Sequence, residues 1–286
     1  MSVHKRSYRA YAGPLTAEWS RFLVLQRYAR ESMFRSRIQT SLFVLCFFYP
    51  VLSLAFVYLA NNASFLTRFD IRAAGILRID AQFFLTLTSV QNVLAFILTI
   101  FSGPGLISPD LANGALPLYF CRPFSRAEYI LGKASCLAIL LSWVTWVPEL
   151  VLFAVQSSLA GFGWFKANLW MAGSIMLISW VWIAVLCLLS LALSAWVRWR
   201  LVAGALLLGV LFVGAGFGQA VNRILGTDYG YVFDIANLIA TISCRLFGVA
   251  TTLPISQTEA WSALLSICAA CLLLLWRKVR AYEVVK

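Results

Sequence analysis

Histidine is nearly missing from this sequence: His4 is the only one among 286 residues, and it lies in a polar opening stretch. No Ser-His-Asp set, H-E-x-x-H pair or G-x-G-x-x-G turn is present. The phosphate-cradling G-x-x-x-x-G-K-[ST] loop is missing too. Gly132-Lys133 comes nearest, but Ala127 stands where the upstream glycine belongs and Ala134 where Ser or Thr belongs. These absences argue against a hydrolase or a self-energised pump, and the chain is expected not to be an enzyme.

Charge is scarce as well. Only 12% of residues are charged while 62% are hydrophobic, and mean hydropathy is +0.85. A soluble domain of this length needs far more polar surface than that. Several apolar runs reach 18 residues or more, the length that crosses a bilayer as helix. They do not alternate with period two, which excludes the pattern of a membrane barrel. The expected fold is therefore an all-α membrane protein. The net charge of +12 then reads as basic loops at a membrane rather than a nucleic-acid partner.

Six spans are expected, at about 39–60, 82–102, 131–156, 169–195, 201–220 and 258–276. Pro50 and Pro148 fall inside spans as kinks. Tryptophans such as Trp143, Trp164, Trp196, Trp199 and Trp276 lie near span ends, as interfacial anchors do. Residues 1–38 form a polar tail and then, from Leu15 to Arg37, apolar residues interleaved with arginines. That pattern predicts an amphipathic helix on the membrane surface, with an ordinary cytosolic helix as the alternative. With the N-terminus inside, the inner segments hold 17 of the 23 Lys and Arg residues and the outer loops six. Both termini are thus expected in the cytoplasm.

The stretch Tyr231–Ala250 is apolar but carries Asp234, Asn237 and Arg245, each costly at mid-bilayer. It is read as one or two short helices in an external or re-entrant hairpin between spans five and six. Cys268 and Cys271 make a C-x-x-C inside an apolar run. A redox or metal pair is one reading, but small packing residues in a span is the simpler one. No metal site is expected. Glu149, after Pro148 in span three, lies 16 residues past Lys133. It is expected toward the outer surface, paired with an external arginine rather than serving a proton relay.

Three further sets of residues stand out. Gly214 and Gly218 form a G-x-x-x-G in span five, suited to close helix packing or to a dimer interface. Thr88, Asn92 and Thr99 share a face of span two, which fits a polar path or interhelical hydrogen bonds. The segment after span two is rich in helix breakers, with room for a short helix around 110–120. Ser125 and Glu128 then have the spacing of a capping box at the start of span three.

In this last segment Asp110, Gly114, Pro123-Phe124-Ser125-Arg126 and Gly132-Lys133 follow one another. In that order they resemble the loop of ABC-2-type transporter permeases, where an acidic residue, a glycine, a P-x-S-R element and a Gly-Lys occupy the same places. The six-span layout, the basic N-terminal helix and the hairpin before the last span are similar over essentially the whole length. Asp110 replaces a commoner Glu and Ala115 a commoner Thr or Ser. The resemblance implies a permease subunit of an ATP-driven exporter in the cell membrane, by expectation a bacterial inner membrane. A separate cytoplasmic ABC ATPase subunit would carry ATP and Mg, so this chain would bind no cofactor. A second permease chain, identical or related, and membrane lipids would complete the assembly. Asp110, Gly114, Pro123, Ser125, Arg126, Gly132 and Lys133 would form the ATPase-coupling loop. The alternative is a non-transporting membrane component that does mechanical or assembly work on a partner protein. The substrate is not legible in either case.

Overall fold

Backbone groups in lipid must find their partners within the same segment, and long runs of Leu, Val, Ile, Phe and Ala do so as helices. The computed structural model describes residues 21–34, 36–62, 78–115, 125–251 and 253–278; these are mostly helical, with no strand among them. Six helical stretches are long and apolar enough to cross a membrane. Helix α1 is Arg21–Phe34. Span one is α2 (Arg37–Leu45) and α3 (Phe48–Asn61), and span two is α4 (Ala81–Ser102). The short α5 (Ser108–Ala112) follows. Span three is α6 (Arg126–Val144) and α7 (Trp146–Ala160), and span four is α8 (Phe162–Trp196). Span five is α9 (Arg200–Leu225). A 3-10 turn (Tyr229–Phe233) and α10 (Ile235–Leu246) precede span six, α11 (Gln257–Lys278).

Spans three and four outrun their expected limits of 131–156 and 169–195. The added turns carry Arg126, Glu128 and Lys166, which dilute hydropathy without breaking the helix. Span five likewise runs to Leu225 rather than 220. At 12 residues α10 is too short to cross, so Tyr231–Ala250 is not a seventh span.

Span four is the axis of the fold. It packs on spans two, three, five and six and on α10. Of its most apolar window 67% is buried, against 22% for spans one and five, whose remaining faces are left for lipid or another chain. Helix α1 packs along α6, with Met33 buried and its sulfur 3.6 Å from Cys136 Sγ.

Polar contacts gather alternate span ends at one pole. Gln39, early in span one, donates to Ser102 at the end of span two at 2.9 Å. Arg200, opening span five, donates to the Phe101 carbonyl at 2.6 Å. Lys278, ending span six, lies 5.0 Å from the ring centre of Trp196, which ends span four. At the opposite pole Asn61 of span one donates to Gln156 of span three at 2.7 Å.

Both prolines interrupt their helices where expected. Proline has no N–H, so the carbonyl four residues earlier is left free. For Pro50 that is Cys46, and for Pro148 it is Val144. Span one breaks at Cys46–Phe47 and span three at Thr145.

Candidate functional site

The segment from span two to span three is built by local chemistry first. Ser125 caps α6: its hydroxyl accepts from Glu128 N at 3.2 Å, and Glu128 Oε2 accepts from Ser125 N at 2.6 Å. This is a complete capping box, worth about 1 kcal/mol. Upstream, α5 spans Ser108–Ala112, and residues 116–120 of the helix expected around 110–120 lie outside the described residues. Helix α5 ends because Gly114 takes φ +63 and the Ala115 N–H turns back to the Asp110 carbonyl at 2.8 Å. A left-handed glycine there closes the last turn and terminates the helix.

The two charged residues of the loop meet. Lys133 Nζ lies 2.8 Å from Asp110 Oδ2, and the Tyr129 hydroxyl donates to the same oxygen at 2.7 Å. Tyr129 and Lys133 are one turn apart on α6, so both reach the carboxylate from one face. Tyr129 is fully buried and Lys133 nearly so, with its ammonium 5.6 Å from the Tyr129 ring centre. Asp110 is partly exposed, so this pair holds position, but removing one partner costs less than the ~3–5 kcal/mol of a fully buried pair. Arg126, by contrast, is exposed, and Gly132 is buried beside Lys133. Pro123 lies outside the described residues.

A second anchor of α5 was not legible in the sequence. Ser194, late in span four, accepts from Ser108 N at 2.9 Å and Ile107 N at 3.3 Å and donates to the Pro104 carbonyl at 3.0 Å. The serine therefore holds the backbone that leads into α5. Its partners lie 86 to 90 residues away in sequence, and one serine in an apolar run carries no local signal. Helix α5 is thus pinned to span three through Asp110 and to span four through Ser194.

Thr88, Asn92 and Thr99 take different partners. Thr88 donates to Glu149 Oε2 at 2.6 Å. The Asn92 carbonyl accepts from Trp182 Nε1 at 2.9 Å, and its side chain lines a largely apolar cavity of about 350 Å³ between spans two, four, five and α10. Thr99 turns back onto the Ala95 carbonyl of its own helix at 2.7 Å.

Glu149 corrects an expectation. It is fully buried, bound to Thr88, and makes no contact with an arginine among the described residues. The expectation counted 16 residues from Lys133 along an unbroken helix, whereas span three breaks at Thr145. The helix continues to Ala160, so Glu149 stands eleven residues inside it, or about 16 Å.

Gly214 and Gly218 face the backbone of the same chain. A Cβ on Gly214 would come within 2.7 Å of the Phe233 carbonyl oxygen, and one on Gly218 would collide with the Gly230 carbonyl. Cys271 is buried, Cys268 is half-buried, and both are free thiols. No group of three or more His, Cys, Asp or Glu side chains able to hold a metal occurs among the described residues.

Comparison with protein-family models and with curated proteins gives no match for this chain.

Proposed function

We propose that this chain is the permease subunit of an ABC-2-type exporter, driven by a separate ATPase that docks on the segment from Asp110 to Lys133. The observation that carries the reading is the double anchoring of α5. A load applied to this short helix passes through Asp110 to the base of span three and through Ser194 to span four, the axis of the fold. The order of loop residues matches the coupling loop of that family, and the chain has no phosphate-binding loop of its own. The basic residues Arg37, Lys133, Arg200, Arg277 and Lys278 lie at the pole that gathers alternate span ends, which supports the reading of that pole and both termini as cytoplasmic. Helix α1 then lies at the inner membrane surface and α10 on the outer side. A second permease chain covers the lipid-facing side of spans one and five, and ATP and Mg stay on the partner.

The test is recovery of the tagged chain from native membranes, with assay of the co-purifying ATPase. Arg126 is exposed, so Arg126→Glu alters the docking face without touching the internal pair. It is expected to lose the ATPase while keeping the melting temperature. Asp110→Lys breaks both, and adding Lys133→Asp restores only the internal pair; the double variant should fold and still fail to retain the ATPase. Full retention of an active ATPase by Arg126→Glu and by the double variant would refute the docking site.

A further inference from the structure

At the pole that gathers the span ends, a polar cavity of about 260 Å³ opens between α1, α2, the end of span two, α5, α6 and the start of α9. Ser36, Gln39, Ser102, Asp110, Lys133 and Arg200 supply its polar wall, with Tyr28 at the α1 side. Three of these groups are charged. Asp110 is already held by Lys133, so the wall carries two cations against one carboxylate, a surplus of one positive charge. The surplus sits on Arg200. Its Nη2 donates to the Phe101 carbonyl, which uses one of five guanidinium donors, and it has no acidic partner among the described residues.

The depth of the cavity points to its occupant. Gln39 is the third residue of span one, Ser102 the last of span two and Arg200 the first of span five. These residues stand where apolar helix meets water, the level at which lipid phosphates lie. A phosphodiester carries one negative charge, which matches the surplus, and a guanidinium presents paired donors to two phosphate oxygens. The neutral walls add donors that tolerate an ester: the Ser36 hydroxyl and the Tyr28 hydroxyl.

We propose that this cavity binds a phosphate group, supplied by the headgroup of an anionic phospholipid, with Arg200 as its principal charge partner and Lys133 behind it. The bound headgroup would tie α1 to the starts of spans one and five. This inference rests on the six apolar spans and needs no ATPase, so it and the exporter reading can fail separately.

The full chain, purified in detergent, is melted with phosphatidylglycerol, with phosphatidylcholine of the same acyl chains, and with inorganic phosphate. Retained lipids are counted by native mass spectrometry. Phosphatidylglycerol is expected to raise the melting temperature above the phosphatidylcholine control and to remain bound at one per chain. Arg200→Gln should weaken that response at least tenfold in apparent affinity. Arg223→Gln removes the same charge from the far end of the same helix and should leave the response unchanged. Arg200→Lys should retain part of it, and it replaces Arg200→Gln if that variant does not elute as a folded particle. Protection by millimolar inorganic phosphate alone, lost in Arg200→Gln, keeps the phosphate site but assigns it to a soluble phosphate. Equal melting of the unaltered protein under all three additions overturns the site. So does an equal loss of response in Arg200→Gln and Arg223→Gln, which reduces the effect to general surface charge.

Discussion

Gln91 donates its side-chain amide to the carbonyl of Val144 at 2.7 Å, the acceptor that Pro148 leaves without a helical partner. The same nitrogen lies 3.4 Å from the Cys46 carbonyl, which Pro50 leaves free in span one. One glutamine in span two therefore serves the proline kinks on both sides of it. Gln91 and Val144 are fully buried, so water does not reach this bond.

Replacing Gln91 by Leu should cost about 1 kcal/mol, the scale of a hydrogen bond between membrane helices. Pro148→Ala gives Val144 a helical N–H, so the cost of Gln91→Leu should shrink in that background. A double-mutant cycle on unfolding in detergent reads the coupling. Strict additivity would show that Gln91 does not serve the kink.

The Thr88–Glu149 bond leads to a second prediction. Glu149 Oε1 is buried with no hydrogen-bond partner among the described residues, so the 2.6 Å contact from Thr88 is the carboxyl group's side-chain support. Thr88→Val removes that hydroxyl at constant shape and should destabilise by about 1–3 kcal/mol. Thr88→Ser keeps the hydroxyl and should recover most of the loss. Equal melting temperatures for the Val and Ser variants would mean that the bond contributes nothing. Glu149→Gln retains an acceptor for Thr88 and is expected to stay closer to the unaltered protein than Glu149→Leu.

Ser194 should matter for the loop more than for the bundle. Ser194→Ala strands the N–H groups of Ile107 and Ser108 in a buried position. Each lost partner costs about 1–3 kcal/mol, concentrated in residues 104–112. Hydrogen exchange in that segment should rise while spans two and four keep their protection. Exchange that rises evenly across the spans would place the role of Ser194 in the core instead.

These residues also mark where sequence reading stops. The six spans were legible because each is a run of apolar residues, a property of one stretch of chain. The Ser125–Glu128 box was legible for the same reason, since its two partners are three residues apart. Gln91, Ser194 and Glu149 are single polar residues in apolar runs. Their partners lie 53, 86 and 61 residues away, so only packing shows what they do. Asp110 and Lys133 were both singled out, but from their order in the loop. That they bind each other follows from Tyr129 and Lys133 reaching from one face of α6 to the α5 carboxylate, which no spacing rule predicts.

Gly218 and Gly209 lie on one helix and call for opposite outcomes. The turn around Gly230 approaches Gly218 so closely that a methyl group on Gly218 would run into a backbone carbonyl, which cannot swing aside as a flexible side chain can. Nothing lies within 4 Å of where a Cβ would stand on Gly209. Gly218→Ala should therefore cost about 1–3 kcal/mol by forcing the 3-10 turn and α10 away from α9. Gly209→Ala should be neutral or stabilise by about 0.4–1 kcal/mol, because alanine loses less backbone entropy in a helix. Melting temperature and particle mass, measured together, separate the two sources of strain. A lower melting temperature at unchanged mass places the Gly218 contact inside one chain. A halved mass at unchanged melting temperature would place it between two.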